Sequence, residues 1–229
     1  MKSRSQSVSG SKKSKSLSYA DTDKQLNGQL TQGADGALVY VALGASDVVG
    51  EGADNPETEA WPVVVHSRLP GAVLHRLGVP GSTAEEALIE QIPTAEVALP
   101  DLVTIWLAVN DYRSQVPLEA YRKHLDEIVR RMTDRAPRVL VGNLPDLRGI
   151  PELAQSASPD RLAAYTYEWN STIAEVVLGN GAVLVDLKAA SEGMDEEMDV
   201  LISADGFHPS TLGHVALAEI FLHHIELVL

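Results

Sequence analysis

The chain has 229 residues, of which 45% are hydrophobic and 22% are charged, and it contains no cysteine. These values are typical of a globular protein with one domain of ordinary size. They exclude a disulfide scaffold, a cysteine nucleophile and a cysteine-ligated zinc or iron–sulfur site. The formal net charge is −14, which repels a phosphate backbone, so nucleic acid is not an expected partner. No apolar run is long enough to predict a transmembrane segment.

The first 36 residues differ in composition from the rest of the chain. They contain six Lys and Arg against three Asp and Glu, with eight serines among the first eighteen positions. Because such a segment cannot offset the entropy of ordering itself, residues 1–36 are predicted to form a disordered basic tail, followed by one domain over residues 37–229. An inert leader is favoured over a polybasic membrane tether. The tail lacks the apolar stretch of a secretory signal, so a cytoplasmic location is expected.

From Ala37 onward, short β-branched runs alternate with amphipathic stretches, a pattern typical of parallel βαβ units. The predicted strands are Ala37–Gly44, Ala72–Leu77, Leu102–Ala108, Arg138–Gly142 and Ala182–Leu187. The predicted helices are Thr58–Leu69, Thr83–Gln91, Pro117–Arg135, Pro159–Leu178 and Ser210–Leu227. The pattern predicts an α/β fold: a three-layer α/β/α sandwich around a five-stranded, mainly parallel sheet of flavodoxin-like type. In such sheets the functional site forms at the carboxyl ends of the strands.

Polar residues lie at that edge of the predicted sheet. Ser46 follows the first strand, and Asn110 follows the third. Gly81 lies in a turn after the second strand, at a helix start whose N–H groups are free to bind negative charge. Each of the three has an ordinary alternative role in a turn or helix cap.

A further pair occurs close to the C-terminus, where Asp205 and His208 precede the last predicted helix. Three residues apart across a turn, a carboxylate can reach the imidazole Nδ1–H and leave Nε2 as a base. A nucleophilic serine requires such a base. The alternative is an ordinary turn that starts the helix, with Pro209 in the first helical position.

Ser46, Gly81, Asn110 and His208 occur in this order, each at a strand or helix boundary. In this arrangement the chain resembles the SGNH (GDSL-type) hydrolases, whose four blocks carry Ser, Gly, Asn and His, with an Asp three residues before the His. The resemblance covers most of the chain beyond the tail. It implies the SGNH hydrolase fold and a carboxylic ester hydrolase for small or lipid-like alcohols, with thioesters and lysophospholipids as further substrate classes. It implies a small-molecule ester substrate and no metal or cofactor.

The resemblance also assigns roles to residues. Ser46 matches the nucleophile that would form an acyl-enzyme, and Asp205 and His208 match the rest of the catalytic triad. The N–H groups of Ser46 and Gly81 and the side chain of Asn110 match the oxyanion hole.

Two positions depart from the family pattern. Ala45 stands where the first block usually has Asp, and Ala108 stands where the third block usually begins with Gly. Both positions shape the backbone and supply no reacting group. The departures therefore bear on substrate range more than on catalysis.

Two alternatives remain open from the sequence. Asp186, at the end of the fifth predicted strand, is a rival for the carboxylate that orients the histidine, as in α/β-hydrolases; those enzymes, however, carry G-x-S-x-G, and the second glycine is Val48 here. A non-catalytic, receiver-like binding module is the other alternative, in which Asp47, Asp111 and Lys188 would mimic a phosphoacceptor site.

Overall fold

The computed structural model describes residues 36–192 and 198–227. The tail predicted from the sequence lies outside these residues except for Gly36, so its disorder and the domain boundary stay predictions. Among the described residues, no helix is both long enough and apolar enough to cross a membrane.

The described residues form five strands and a set of helices. The strands are β1 (Val39–Leu43), β2 (Val73–Arg76), β3 (Leu102–Ile105), β4 (Arg138–Gly142) and β5 (Val183–Val185). The helices are α1 (Ser46–Val49), α2 (Pro56–Glu59), α3 (Trp61–Ser67), α4 (Ala84–Glu90), α5 (Ile92–Val97), α6 (Val109–Arg113), α7 (Leu118–Thr133), α8 (Pro151–Ala154), α9 (Pro159–Gly179), α10 (Leu187–Ser191), α11 (Met198–Leu201) and α12 (Thr211–Glu226).

The strands form one sheet in the order β2-β1-β3-β4-β5, and all neighbouring pairs are parallel. In the register, Val41 of β1 pairs with His75 on one side and with Val103 of β3 on the other. The strand order therefore reverses between β1 and β3, and this switch point opens a crevice beyond their carboxyl ends. The predicted α/β/α fold is confirmed.

Alternate residues along the strands enter two separate cores, as the period of two in a β-strand requires. On one face, Val41 and Val103 pack against buried residues of α4, α5, α7 and α9. On the other face, Tyr40 belongs to the core formed with α3 and α12. There the rings of Trp61 and Phe221 stack with centroids 4.5 Å apart. Both faces of the sheet are thus covered by helices. The polar groups described below lie at the carboxyl ends of the strands.

Two predicted elements differ from the structure in a way that affects the site. The predicted helix Thr58–Leu69 is divided into α2 and α3, because Ala60 adopts an extended conformation (φ −55°, ψ 135°) and Pro62 favours the start of a new helix. The third strand ends at Ile105 instead of Ala108. Past the final ladder bond, from the Trp106 N–H to the Leu43 carbonyl, the chain turns into α6.

Candidate active site

The predicted site residues converge beyond the carboxyl ends of β1 and β3. Ser46 begins α1, Asn110 lies in α6, and His208 lies in the loop before α12. The three side chains line one cavity of about 80 Å³. Its apolar lining includes Trp106, Ile150, Ile202, Phe207 and Pro209.

The turn that presents Ser46 depends on the glycine before it. A side chain at Gly44 would come within 2.6 Å of Val48 Cγ2 and 3.0 Å of the Trp106 carbonyl, so the close approach of β1, β3 and α1 requires glycine here. Ser46 is the first residue of α1. Its N–H group therefore has no acceptor within the helix and is available to a ligand.

A continuous hydrogen-bonded chain joins Ser46, His208 and Asp205. Ser46 Oγ lies 3.0 Å from His208 Nε2, and His208 Nδ1 lies 2.6 Å from Asp205 Oδ2. An ionised carboxylate can only accept, so Nδ1 carries a hydrogen, and in the neutral ring Nε2 can accept the serine hydroxyl. Only 19% of the His208 side chain is exposed.

Three further donors bind the Asp205 carboxylate: the Ser203 hydroxyl and the N–H groups of Phe207 and His208, at 2.8, 2.8 and 2.9 Å. Burial acts to raise the pKa of Asp205, but these hydrogen bonds and that from the imidazole outweigh it and hold the pKa well below its usual range. Asp205 is therefore ionised at neutral pH.

Asn110 is connected to the Gly81 turn through Ser82, the residue after Gly81. Gly81 adopts a left-handed conformation (φ +79°) in the turn closed by the Ser82 N–H to the Val79 carbonyl at 3.0 Å, which is the position where a type II turn needs glycine. Asn110 Nδ2 donates to the Ser82 carbonyl at 3.1 Å. One amide hydrogen of Asn110 is thereby fixed, and the other remains for a ligand. Gly81 is exposed, and its neighbour Ser82 lines the cavity.

Two buried side chains support this site through contacts that the sequence did not predict. The amide of Gln91 accepts the Gly44 N–H at 3.1 Å and donates to the Gly44 carbonyl at 2.8 Å and to Ser82 Oγ at 3.3 Å. Asp111 accepts the Ala84 N–H at 3.0 Å and so caps α4 beside Asn110. Burial raises the pKa of Asp111 to about 6. Both contacts join segments far apart in the chain.

The residues of the receiver-like alternative do not converge. Asp47 is buried and accepts from Trp61 Nε1 at 2.8 Å. Asp111 accepts the Ala84 N–H of α4, and Lys188 pairs with Glu192, the residue that follows α10. Within the described residues these groups form no common acidic pocket. That arrangement is therefore wrong as an account of this site.

Asp186 contacts a different partner from His208. It accepts from Asn143 Nδ2 at 2.8 Å and from the Ala189 N–H at 3.1 Å, which caps α10. The carboxylate that reaches His208 is that of Asp205.

Glu51 is the site residue that the sequence did not single out. Its Oε2 lies 3.2 Å from His208 Nε2, and 45% of its side chain is exposed. Its backbone is held on both sides: the N–H donates to the Ser46 carbonyl at 2.9 Å, and the carbonyl accepts from His214 Nε2 at 3.0 Å. In the sequence, Glu51 is only one of several acidic residues, with Asp47 and Asp54, that follow Ser46.

Residues 42–216 match the profile of the GDSL-like lipase/acylhydrolase family, also known as SGNH hydrolases. The chain belongs to this family. Membership makes the protein a hydrolase of the esterase class that acts on small molecules. Among curated proteins, none matches this hydrolase.

Solved structures of similar fold cover most of the hydrolase. LAE5, an α/β hydrolase from the metagenome of Lake Arreo in Spain, is 21% identical, with a TM-score of 0.65 over 82% of this chain and 95% of that chain. Axe2, an acetylxylan esterase from Geobacillus stearothermophilus, is 19% identical, with a TM-score of 0.65 over 86% and 96%. TesA is 19% identical, with a TM-score of 0.67 over 83% and 99%. At these identities the likeness establishes the fold.

Proposed function

We propose that this hydrolase is a serine esterase that cleaves carboxylic esters through an acyl-Ser46 intermediate. The observation that carries the proposal is the chain from Ser46 Oγ through both nitrogens of His208 to Asp205, with links of 3.0 and 2.6 Å. A serine hydroxyl is a weak nucleophile, and a neutral imidazole at this distance can take its proton as it attacks. Asp205, ionised and fixed by its other donors, stabilises the imidazolium that forms.

Attack on the ester carbonyl places negative charge on its oxygen. We assign the stabilisation of this charge to the N–H groups of Ser46 and Gly81 and to the amide hydrogen of Asn110 that Ser82 leaves available. A donor of this kind typically lowers the barrier by roughly 3–4 kcal/mol. Collapse of the tetrahedral intermediate expels the alcohol, which takes the proton from Nε2. Water then attacks acyl-Ser46 with His208 as its base. The second tetrahedral intermediate releases the acid as Nε2 returns the proton to Ser46 Oγ.

The acyl group is expected to be short. The cavity at Ser46 has a volume of about 80 Å³, about half that of an apolar cavity of about 150 Å³ that binds benzene. An acyl group of two to about four carbons fits that space beside the apolar wall. The structural likeness to Axe2, whose name specifies acetyl ester cleavage, agrees with a short acyl group.

Labelling with a fluorophosphonate probe tests the proposal. The probe should add once to the wild-type protein and not at all to Ser46→Ala. The exposed Ser67 provides the matched control, and Ser67→Ala should be labelled like the wild type. A series of 4-nitrophenyl esters should show the highest kcat/KM at acetate to butyrate. Undiminished labelling of Ser46→Ala would contradict the assignment of the nucleophile.

A further inference from the structure

The Glu51 carboxylate lies close to Nε2 of His208, the nitrogen that the leaving alcohol must also approach. In the proposed reaction Nε2 delivers its proton to the alcohol oxygen, so that oxygen must come within about 3 Å of Nε2. Glu51 Oε2 already lies 3.2 Å from this nitrogen. The carboxylate can therefore be no more than about 6 Å from the leaving oxygen.

From this geometry we propose that Glu51 determines leaving-group specificity and favours esters whose alcohol carries a positive charge next to the ester oxygen. The inference rests on the proposed esterase function and adds a substrate class to it. A carboxylate at this distance attracts a cationic alcohol, leaves a neutral one unaffected and repels an anionic one.

The surroundings of Glu51 support a role for its charge. The Asp205 carboxylate, on the other side of the imidazole, already accepts four hydrogen bonds. The nearby Arg113 guanidinium, which lies over the Phe207 ring, is paired with Glu152 at 2.6 Å. Burial lowers the pKa of His214, so the imidazole behind the Glu51 backbone is neutral. Glu51 thus places a carboxylate next to His208 Nε2, the nitrogen that serves the leaving alcohol.

The backbone contacts of Glu51 make its side chain replaceable. The bonds to Ser46 and His214 use the N–H and carbonyl groups of Glu51 and persist when the carboxylate is changed. Glu51→Gln keeps the shape and removes the charge, and Glu51→Lys reverses the charge. Glu226→Gln removes an equal charge from an exposed position at the far end of α12, which is about 22 Å long at 1.5 Å per residue.

Two acetate esters of nearly equal shape isolate the charge of the alcohol: 3-(trimethylammonio)phenyl acetate and 3-tert-butylphenyl acetate. The measured quantity is the ratio of kcat/KM for the cationic ester to that for the neutral ester. Intrinsic reactivity cancels when this ratio is compared between variants. Relative to the wild type, the ratio should fall about fivefold in Glu51→Gln, because two charges about 5 Å apart near water interact by about 1 kcal/mol. It should fall further in Glu51→Lys and remain unchanged in Glu226→Gln.

Salt and a neutral substrate complete the test. Since Glu51 is half-exposed, the difference between wild type and Glu51→Gln should shrink as ionic strength rises. Equal ratios in the wild type, Glu51→Gln and Glu51→Lys would overturn the inference, as would an equal loss of kcat for both esters, which would assign Glu51 to positioning His208. Hydrolysis of 4-nitrophenyl acetate reports separately on the proposed function: its absence from the wild type contradicts the esterase mechanism, whereas its presence with equal ratios contradicts only the role of Glu51.

Discussion

The Asp205 carboxylate holds His208 at two points, with Oδ1 2.9 Å from the backbone nitrogen and Oδ2 2.6 Å from the ring Nδ1. One side chain thus sets both the path of the loop and the orientation of the imidazole. A residue three positions earlier can do this because Gly206 adopts a left-handed conformation (φ +77°) in the intervening turn.

We expect Asp205→Asn to lower kcat by about 10³–10⁴-fold, because an amide no longer selects the tautomer with a free Nε2. Asp186→Asn is the matched control, since Asp186 is also a carboxylate but caps α10. It should keep kcat within about twofold, because loss of a helix cap affects stability rather than chemistry. Steady-state kinetics on both variants would decide the matter; the opposite ranking would transfer the orienting role to Asp186.

Asn110→Ala should reduce kcat by about 10²–10³-fold with KM nearly unchanged, because its amide stabilises charge that exists only in the transition state. The half-buried Asn180, which donates to Asp126 at 2.8 Å and lies after α9, provides the control, and Asn180→Ala should be kinetically silent. A raised KM at constant kcat for Asn110→Ala would make this residue a ground-state binding group.

Gly52→Ala should inactivate the enzyme through His208. Gly52 has φ +91°, and a Cβ there would lie 2.2 Å from the Pro209 carbonyl oxygen and 2.9 Å from His208 Cβ. Displacing a catalytic group by about 1 Å can cost about 10²-fold in rate. Gly71 has a similar φ of +76° with open space around it, so Gly71→Ala introduces comparable backbone strain without the collision.

Both glycine variants should therefore lose stability, by about 1–2 kcal/mol for the left-handed conformation of a non-glycine residue, but only Gly52→Ala should lose kcat/KM. Urea unfolding and ester hydrolysis measure the two effects separately. Full activity in a folded Gly52→Ala protein would mean that the loop can move without carrying His208.

Asp47 should make the protein more stable as the pH falls from about 6 to about 4. Burial raises the pKa of Asp47 to about 6, against the opposing hydrogen bond from Trp61, whereas an unfolded Asp titrates near about 3.9. In this interval the folded state holds a proton that the unfolded state has released. Stability therefore increases on acidification, by up to about 1.4 kcal/mol per pH unit for one proton.

The measurement is the free energy of unfolding in urea at several pH values. In Asp47→Asn, the free energy of unfolding should depend less steeply on pH between about 4.5 and 5.5. The difference in slope from the wild type should correspond to at most one bound proton. The pKa of Asp111 is also raised to about 6 by burial. Asp111 therefore contributes equally to the pH dependence of stability in both proteins, and the difference between them reports on Asp47. Identical slopes in the two proteins would contradict a proton on Asp47 in this range.

The sequence by itself determined the fold class and predicted Asp205 and His208 as a candidate pair. Strand and helix patterns repeat every two and 3.6 residues and are therefore visible in short windows, and the sheet edge follows from the parallel order. The spacing of Asp205 and His208 is equally local, because three residues across one turn leave few possible geometries. The short helices were not predicted, since four to six residues are too few to show a helical period.

Only the tertiary structure decided what surrounds the proposed triad. Gln91 reaches Gly44 across 47 positions and His214 reaches Glu51 across 163; no local pattern encodes contacts of that separation. The same holds for Glu51, whose carboxylate meets His208 only because the loop after β1 folds back toward the loop before α12. The periodicity of hydrophobic residues follows from the local backbone geometry of strands and helices. The electrostatic surroundings of a site depend on groups far apart in the sequence, which come together only when the helices pack on both faces of the sheet.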